Sequence, residues 1–166
     1  MKASESGWRW LPIAAFVIVL DQVTKIWVQR TFEYAESVTL LPVLNFTLRY
    51  NTGAAFSFLA DASGWQRWFF SGLAVIVAVA IIVWLRRLDG RAQARLALSL
   101  SLIMAGALGN VIDRLYLGHV VDFIHVHWGD AHFPAFNIAD SAITIGAILM
   151  LIDAYLDGKR EKAQAS

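Results

Sequence analysis

Trp68 to Leu85 and Leu96 to Ile112 run for 18 and 17 residues without one charged side chain. No other feature limits the possible folds so strongly. A bilayer's hydrocarbon core is crossed by about 20 mostly apolar residues in a helix, and only a helix or a closed barrel satisfies its own backbone there. Two further runs are apolar but interrupted: Trp10 to Val28 carries Asp21 and Lys25, and Phe136 to Leu156 carries Asp140 and Asp153. A charge inside a span is costly and is usually retained for function, so both also read as spans. Composition agrees. The chain is 58% hydrophobic and 16% charged, where a soluble domain carries about 25% charged residues. The reading is a single all-α integral membrane domain over residues 1–166, with helices at about 10–28, 68–85, 96–113 and 137–156. The first run follows Lys2 and Arg9 as a secretory leader would. The residues after it, Asp21-Gln22-Val23-Thr24-Lys25, offer no small-x-small cleavage site, which predicts an uncleaved helix.

Lys and Arg predict the direction of these helices. Residues 1–9, 86–95 and 157–166 hold nine of them in 29 positions, whereas 30–67 and 114–136 hold four in 61. The positive-inside rule puts both termini and 86–95 in the cytoplasm, with the loop 30–67 and the segment 114–136 outside. Trp8, Trp10 and Trp84 then fall at inner boundaries, and Trp27, Trp65, Trp68 and Trp128 at or near outer ones, as an aromatic belt requires. A net charge of +1 gives no reason to expect nucleic acid, and the absence of cysteine excludes disulfides, a thiol nucleophile and Cys-ligated metal.

The outer loop has structure of its own. Leu44, Phe46, Leu48 and Tyr50 alternate with Asn45, Thr47, Arg49 and Asn51, which predicts a strand over 43–51 with one greasy face on the membrane surface. Such a strand could hold an extended peptide by strand pairing. Thr52-Gly53 reads as a turn, and residues 53–66 are expected to cover the site as a mobile lid.

Polar residues inside the spans form three stripes. Asn137, Asp140, Ser141 and Thr144 share one face of the fourth helix; Gly106, Asn110 and Asp113 share one of the third, with Gly109 alongside; Asp21, Thr24 and Lys25 share one of the first. All lie in the outer half of their spans, and polar groups turned to lipid would go unsatisfied, so the stripes should face one another. The second helix has no such face and reads as support. Asp21 and Lys25, an i, i+4 pair of opposite charge, read as structural. Asp113 and Arg114 read as structural or substrate-positioning, and Gly106 and Gly109 as sites of close helix packing.

Asp122 and Asp140 stand apart. Asp122 lies in the apolar run Gly118-His119-Val120-Val121-Asp122-Phe123-Ile124 just past the third helix, and Asp140 lies about one turn inside the fourth. Two carboxyls in a partly dry site cannot both ionise easily. The ionised one can take a proton from water while the protonated one polarises a carbonyl, which is aspartyl protease chemistry. Spacing alone leaves a catalytic pair and a purely structural pair both open.

Other chemistries fit less well. His119, His125, His127 and His132 cluster in one outer segment, but there is no His-Glu-x-x-His motif and no helix presents two histidines at i, i+4, so no metal is expected. A serine–lysine pair would need a serine next to Lys25, and Asp21 would stabilise that lysine's charge instead. A transporter needs access from both sides, yet the inner halves of these spans are apolar.

Five blocks carry a resemblance: Asp21-Gln22-Val23-Thr24-Lys25; Tyr50-Asn51-Thr52-Gly53-Ala54-Ala55-Phe56-Ser57; Gly106-Ala107-Leu108-Gly109-Asn110 with Asp113-Arg114; Val121-Asp122-Phe123; and Phe136-Asn137-Ile138-Ala139-Asp140-Ser141. In this order, over roughly residues 12–155, they resemble the prolipoprotein signal peptidases (signal peptidase II). The resemblance implies a bacterial inner-membrane aspartyl endopeptidase that cuts just before a diacylglyceryl-modified cysteine, with its active site at the periplasmic face. It implies Asp122 and Asp140 as the dyad. Asn51, Gly53, Asn110, Arg114 and Asn137 would bind substrate or support the dyad, and Asp21, Lys25 and Asp113 would be structural. The implied partners are the signal peptide with its lipid-modified cysteine, membrane lipid, and peptide antibiotics that inhibit the family. The chain is expected to act as a monomer, without cofactor. Ala105 stands where the family commonly has glycine, and its extra methyl is expected to alter helix approach slightly.

Overall fold

A computed structural model describes residues 6–52 and 64–164. Gly53 and most of the expected lid lie outside the described residues. Helix α1 spans Leu11–Thr31, strands β1 Ser37–Leu41 and β2 Leu44–Asn51, helices α2 Trp65–Arg87 and α3 Ala94–Tyr116, strands β3 Val120–Trp128 and β4 Ala131–His132, and helix α4 Ile138–Gln164. Each helix is long and apolar enough to cross a membrane. All run past the bounds that hydropathy alone marks out. α4 continues through Asp157, Lys159 and Arg160, because a helix does not stop where its side chains become polar.

α3 is the central helix. Of its most apolar window 61% is buried, against 22%, 22% and 17% for α1, α2 and α4. The others turn residues such as Phe16, Ile76 and Leu151 outward, as lipid-facing helices do. Without a hydrophobic drive between helices in lipid, close approach comes from small residues. A Cβ on Gly106 would collide with the backbone oxygen of Ala139, and one on Gly146 would meet Ser99 O at 2.7 Å. α3 and α4 therefore touch backbone to backbone at two points of their contact. Ala105 faces another way, into the inner core with Ala14, Leu85, Ala97 and Met104.

At the end of the bundle where α1 closes and α4 begins, the four strands form one antiparallel sheet in the order β1-β2-β3-β4. Of these, the sequence pattern predicts only β2. Its alternation is also broken. Thr47 and Leu48 are adjacent yet both buried, because the register to β3 shifts between Phe46 and Arg49. Leu48 drops into an outer core with Val28, Val121 and Phe123. Thr47 turns its hydroxyl to Glu36 O at 2.7 Å. Tyr50 does not continue the greasy face; it stacks on Tyr34 and against His119. Because β2 is flanked by β1 and β3, peptide pairing along Leu44–Thr47 is closed.

At the opposite end, Asp89 accepts the N–H groups of Ala92 and Arg91 at 2.9 and 2.8 Å, which holds its carboxyl below the usual value. Asp153, an anomaly inside an apolar run, pairs with Arg95 at 3.0 Å.

Candidate active site

The start of α4 sets the site. Asn137 precedes its first turn, and its Oδ1 accepts the Asp140 N–H at 2.9 Å while Asp140 Oδ2 accepts the Asn137 N–H at 3.3 Å. This reciprocal cap satisfies two donors that a helix start leaves open. It also fixes Asp140 in direction. Asn137 Nδ2 points the other way, sharing its hydrogens among Asp122 Oδ1 at 2.8 Å, Val121 O at 3.2 Å and Asn110 Oδ1 at 3.2 Å. One fully buried asparagine thus binds both aspartates.

Each carboxylate has a second donor. Asn51, at the end of β2, donates to Asp122 Oδ2 at 3.1 Å, and Asn110, on α3, donates to Asp140 Oδ1 at 2.7 Å. Among the described residues neither aspartate has a salt bridge. Burial, and then the charge of Asp140, push the Asp122 carboxyl up to about 7. Bonds from Asn51 and Asn137 and the nearby charge of Lys25 oppose that rise.

Beneath this pair sits a buried ion cluster. Lys25 Nζ lies 2.8 Å from Asp21 and 3.0 Å from Asp113, and donates to Asn110 Oδ1 at 3.1 Å. Asp21 and Lys25 pair as their spacing requires; Asp113 as a second partner was not foreseen. The two acids also hold backbone. Asp113 Oδ2 accepts the Val121 N–H at 3.0 Å, and Asp21 Oδ1 accepts the Ala139 N–H at 2.9 Å. Those residues immediately precede Asp122 and Asp140. Gln22 was missed. Its amide reaches Asp113 at 2.9 Å and both Asp21 and Gly109 O at 3.2 Å. The block Asp21-Gln22-Val23-Thr24-Lys25 contains it, but it sits one residue off the stripe that Asp21, Thr24 and Lys25 share. Gly109 leaves room for this cluster, since a Cβ there would lie 2.7 Å from Asp21 Oδ2.

Arg114 parts from its neighbour Asp113. It lies over the Phe70 ring at 5.6 Å and lines a 410 Å³ groove whose walls include Leu73, Val77, Ile103 and Asp140. α2 is therefore a wall of this groove as well as support. A second apolar cavity of 510 Å³ opens from Asp140 past Phe133, Phe136 and Ile145. Ser141 and Thr144 border it but give their hydroxyl hydrogens to Asn137 O and Asp140 O within the helix. A third, a 470 Å³ trough, runs from Asp122 and Asn51 across the sheet to His125 and His132. The three imidazoles of His125, His127 and His132 lie 5.2–5.8 Å apart. Among the described residues no group of three or more His, Asp or Glu side chains is arranged to hold a metal.

The family model for Signal peptidase (SPase) II matches residues 13–156. The chain belongs to the signal peptidase II family. Relatives agree along almost the whole length. A lipoprotein signal peptidase of Shewanella halifaxensis is 52% identical, covering 95% of this chain and 92% of that protein. One of Pseudomonas putida is 50% identical over 92% and 90%. A solved bacterial membrane enzyme superposes with a TM-score of 0.81 at 38% identity, covering 92% of this chain and 90% of its own. In this signal peptidase II, both aspartates and every polar group that binds them lie within the matched span.

Proposed function

We propose that Asp122 and Asp140 are the catalytic dyad with which this signal peptidase II removes the signal peptide from a diacylglyceryl-modified prolipoprotein, cutting just before the lipid-modified cysteine. The observation that carries the assignment is the shared Asn137 side chain, bonded to Asp122, which borders the trough, and to the backbone of Asp140, which borders both apolar cavities.

Asp122, raised to about 7, is the member that holds the proton near neutrality. Asp140 takes a proton from a water, which adds to the scissile carbonyl carbon, and Asp122 gives its proton to the carbonyl oxygen. Asp140 then passes its proton to the leaving nitrogen as the C–N bond breaks, and Asp122 recovers its own from the collapsing diol. Asn51, Asn110 and Asn137 keep both carboxyls oriented throughout. This preorganisation lowers the barrier without costing motion at the moment of reaction.

The apolar signal helix takes the groove between α2, α3 and α4, with Arg114 at its polar end. The acyl chains on the cysteine take the cavity beside Phe136 and Ile145. Peptide antibiotics that inhibit the family compete for these surfaces. The enzyme works as a monomer in the inner membrane, termini in the cytoplasm and dyad at the periplasmic face, consistent with the Lys and Arg asymmetry. Purified protein in detergent should cleave a diacylglyceryl-modified prolipoprotein in the presence of chelator and leave its unmodified form intact. Loss of activity on chelation, or equal cleavage of both forms, would overturn this reading.

A further inference from the structure

The cavities around the dyad differ sharply in character. The two apolar ones reach Asp140 and not Asp122, whereas the trough reaches Asp122 and not Asp140. A peptide laid across the dyad therefore leaves an apolar surface on one side and enters a more polar one on the other. With the signal helix in the membrane groove, the residues after the cleaved bond are the ones that enter the trough.

Arg49 gives the trough a fixed positive charge. Among the described residues its lining contains no acid apart from Asp122, and it contains Arg49, His125 and His132. Arg49 is exposed and lies directly across the β2–β3 pair from Asp122, yet makes no salt bridge among the described residues. His132 Nδ1 sits 3.3 Å from His125 Nε2, and His132 is held by the short β3–β4 hairpin, opposite His127. Burial, with His132, His127 and Arg49 close by, holds the His125 imidazole below its usual pKa, so it serves as a neutral hydrogen-bonding group.

We propose that this trough reads the first residues of the mature lipoprotein and selects acidic side chains there, Arg49 supplying the charge and the His125–His132 pair the hydrogen bonds. The selection rests on the signal peptidase reading and adds a sequence preference beyond the lipid-modified cysteine. Partly exposed charge pairs are individually weak, so the preference for two acidic over two basic residues should be about five- to tenfold.

The test uses three diacylglyceryl-modified prolipoproteins that share one signal peptide and carry Asp, Ala or Lys at the second and third mature positions. The readout is the ratio of kcat/KM for the Asp and Lys substrates with purified full-length enzyme, a ratio that a general loss of activity does not move. The expected ratio is about five to ten for the wild type, retained in Arg49→Lys, near one in Arg49→Gln and below one in Arg49→Glu. Raising salt should shrink the wild-type ratio by screening, which tests the proposal even if an Arg49 variant fails to fold. A wild-type ratio of one, or a ratio that survives both Arg49→Gln and high salt, would overturn it. Failure to cleave any of the three substrates would instead overturn the signal peptidase reading, and this proposal with it.

Discussion

Lys25 Nζ donates to Asn110 Oδ1 at 3.1 Å, and through that bond the buried ion cluster and the proposed dyad become one network. The other end of the same amide donates to Asp140. The lysine thereby sets which way Asn110 faces: with its oxygen held by an ammonium, the NH₂ must point at the carboxylate.

Asp21→Ala is expected to lower the yield of folded protein and its thermal stability. It leaves Lys25 with one carboxylate fewer and strips the Ala139 N–H of its acceptor. Breaking a buried pair costs about 3–5 kcal/mol. Thermal unfolding in detergent measures this. Normal stability with lost activity would mean that Asp21 acts in the chemistry rather than beneath it.

The Asp122 proton has a pH signature. Its carboxyl is raised from an ordinary 3.8 to about 7, so between those values the folded protein holds a proton that the unfolded chain has released. The stability from this group is complete below about 3.8 and lost as pH rises through about 7. Asp122→Asn should remove that dependence, seen as a wild-type Tm that falls relative to the variant's as pH rises across this window. Activity should fall above about pH 7, since the same proton is the general acid. A rate that keeps climbing to pH 9 would contradict the assignment.

Gly106→Ala should reduce both stability and turnover. Its new methyl would collide with the backbone of Ala139, one residue from Asp140, and backbone cannot step aside as a flexible side chain can. Gly72→Ala on α2, where a Cβ meets nothing within 4 Å, is the control and should behave as wild type. Equal behaviour of the two variants in melting and turnover assays would show that the α3–α4 contact does not position the site.

Much of this arrangement is legible in the residues, and the rest fails for definable reasons. Spans show as charge-free runs, and Asp21 and Lys25 pair because one helix turn dictates it. Asn110, Asn137 and Asp140 converge because lipid offers polar side chains no partner. The sheet was nearly invisible: β1 is exposed throughout and β4 is two residues long, so neither has a burial pattern to read. The bulge at Thr47–Leu48 breaks the period of two just where the strand passes the site. The Asp113–Lys25 and Asp113–Val121 contacts depend on how α1, α3 and β3 pack, which no local spacing encodes.

Membrane orientation is open to direct measurement. A reporter fused after Arg91 should read as cytoplasmic and one after Gly129 as periplasmic, following the bias of Lys and Arg. The opposite readings would put the dyad on the wrong face for a signal peptide's cleavage site.

The dyad itself is tested by turnover of a diacylglyceryl-modified prolipoprotein by purified Asp122→Asn and Asp140→Asn. Both amides preserve shape, and neither replaced carboxylate leaves a salt-bridge partner stranded among the described residues, so both variants should fold; each turns one accepting oxygen into a donor facing an N–H, so a lowered Tm is expected, and turnover is compared on the folded fraction. Each should lose activity by about 100-fold or more, the scale of general acid–base catalysis. The double variant should be hardly worse than either single one, because the two carboxyls act as a unit. Near-normal turnover by either folded single variant would contradict the aspartyl mechanism.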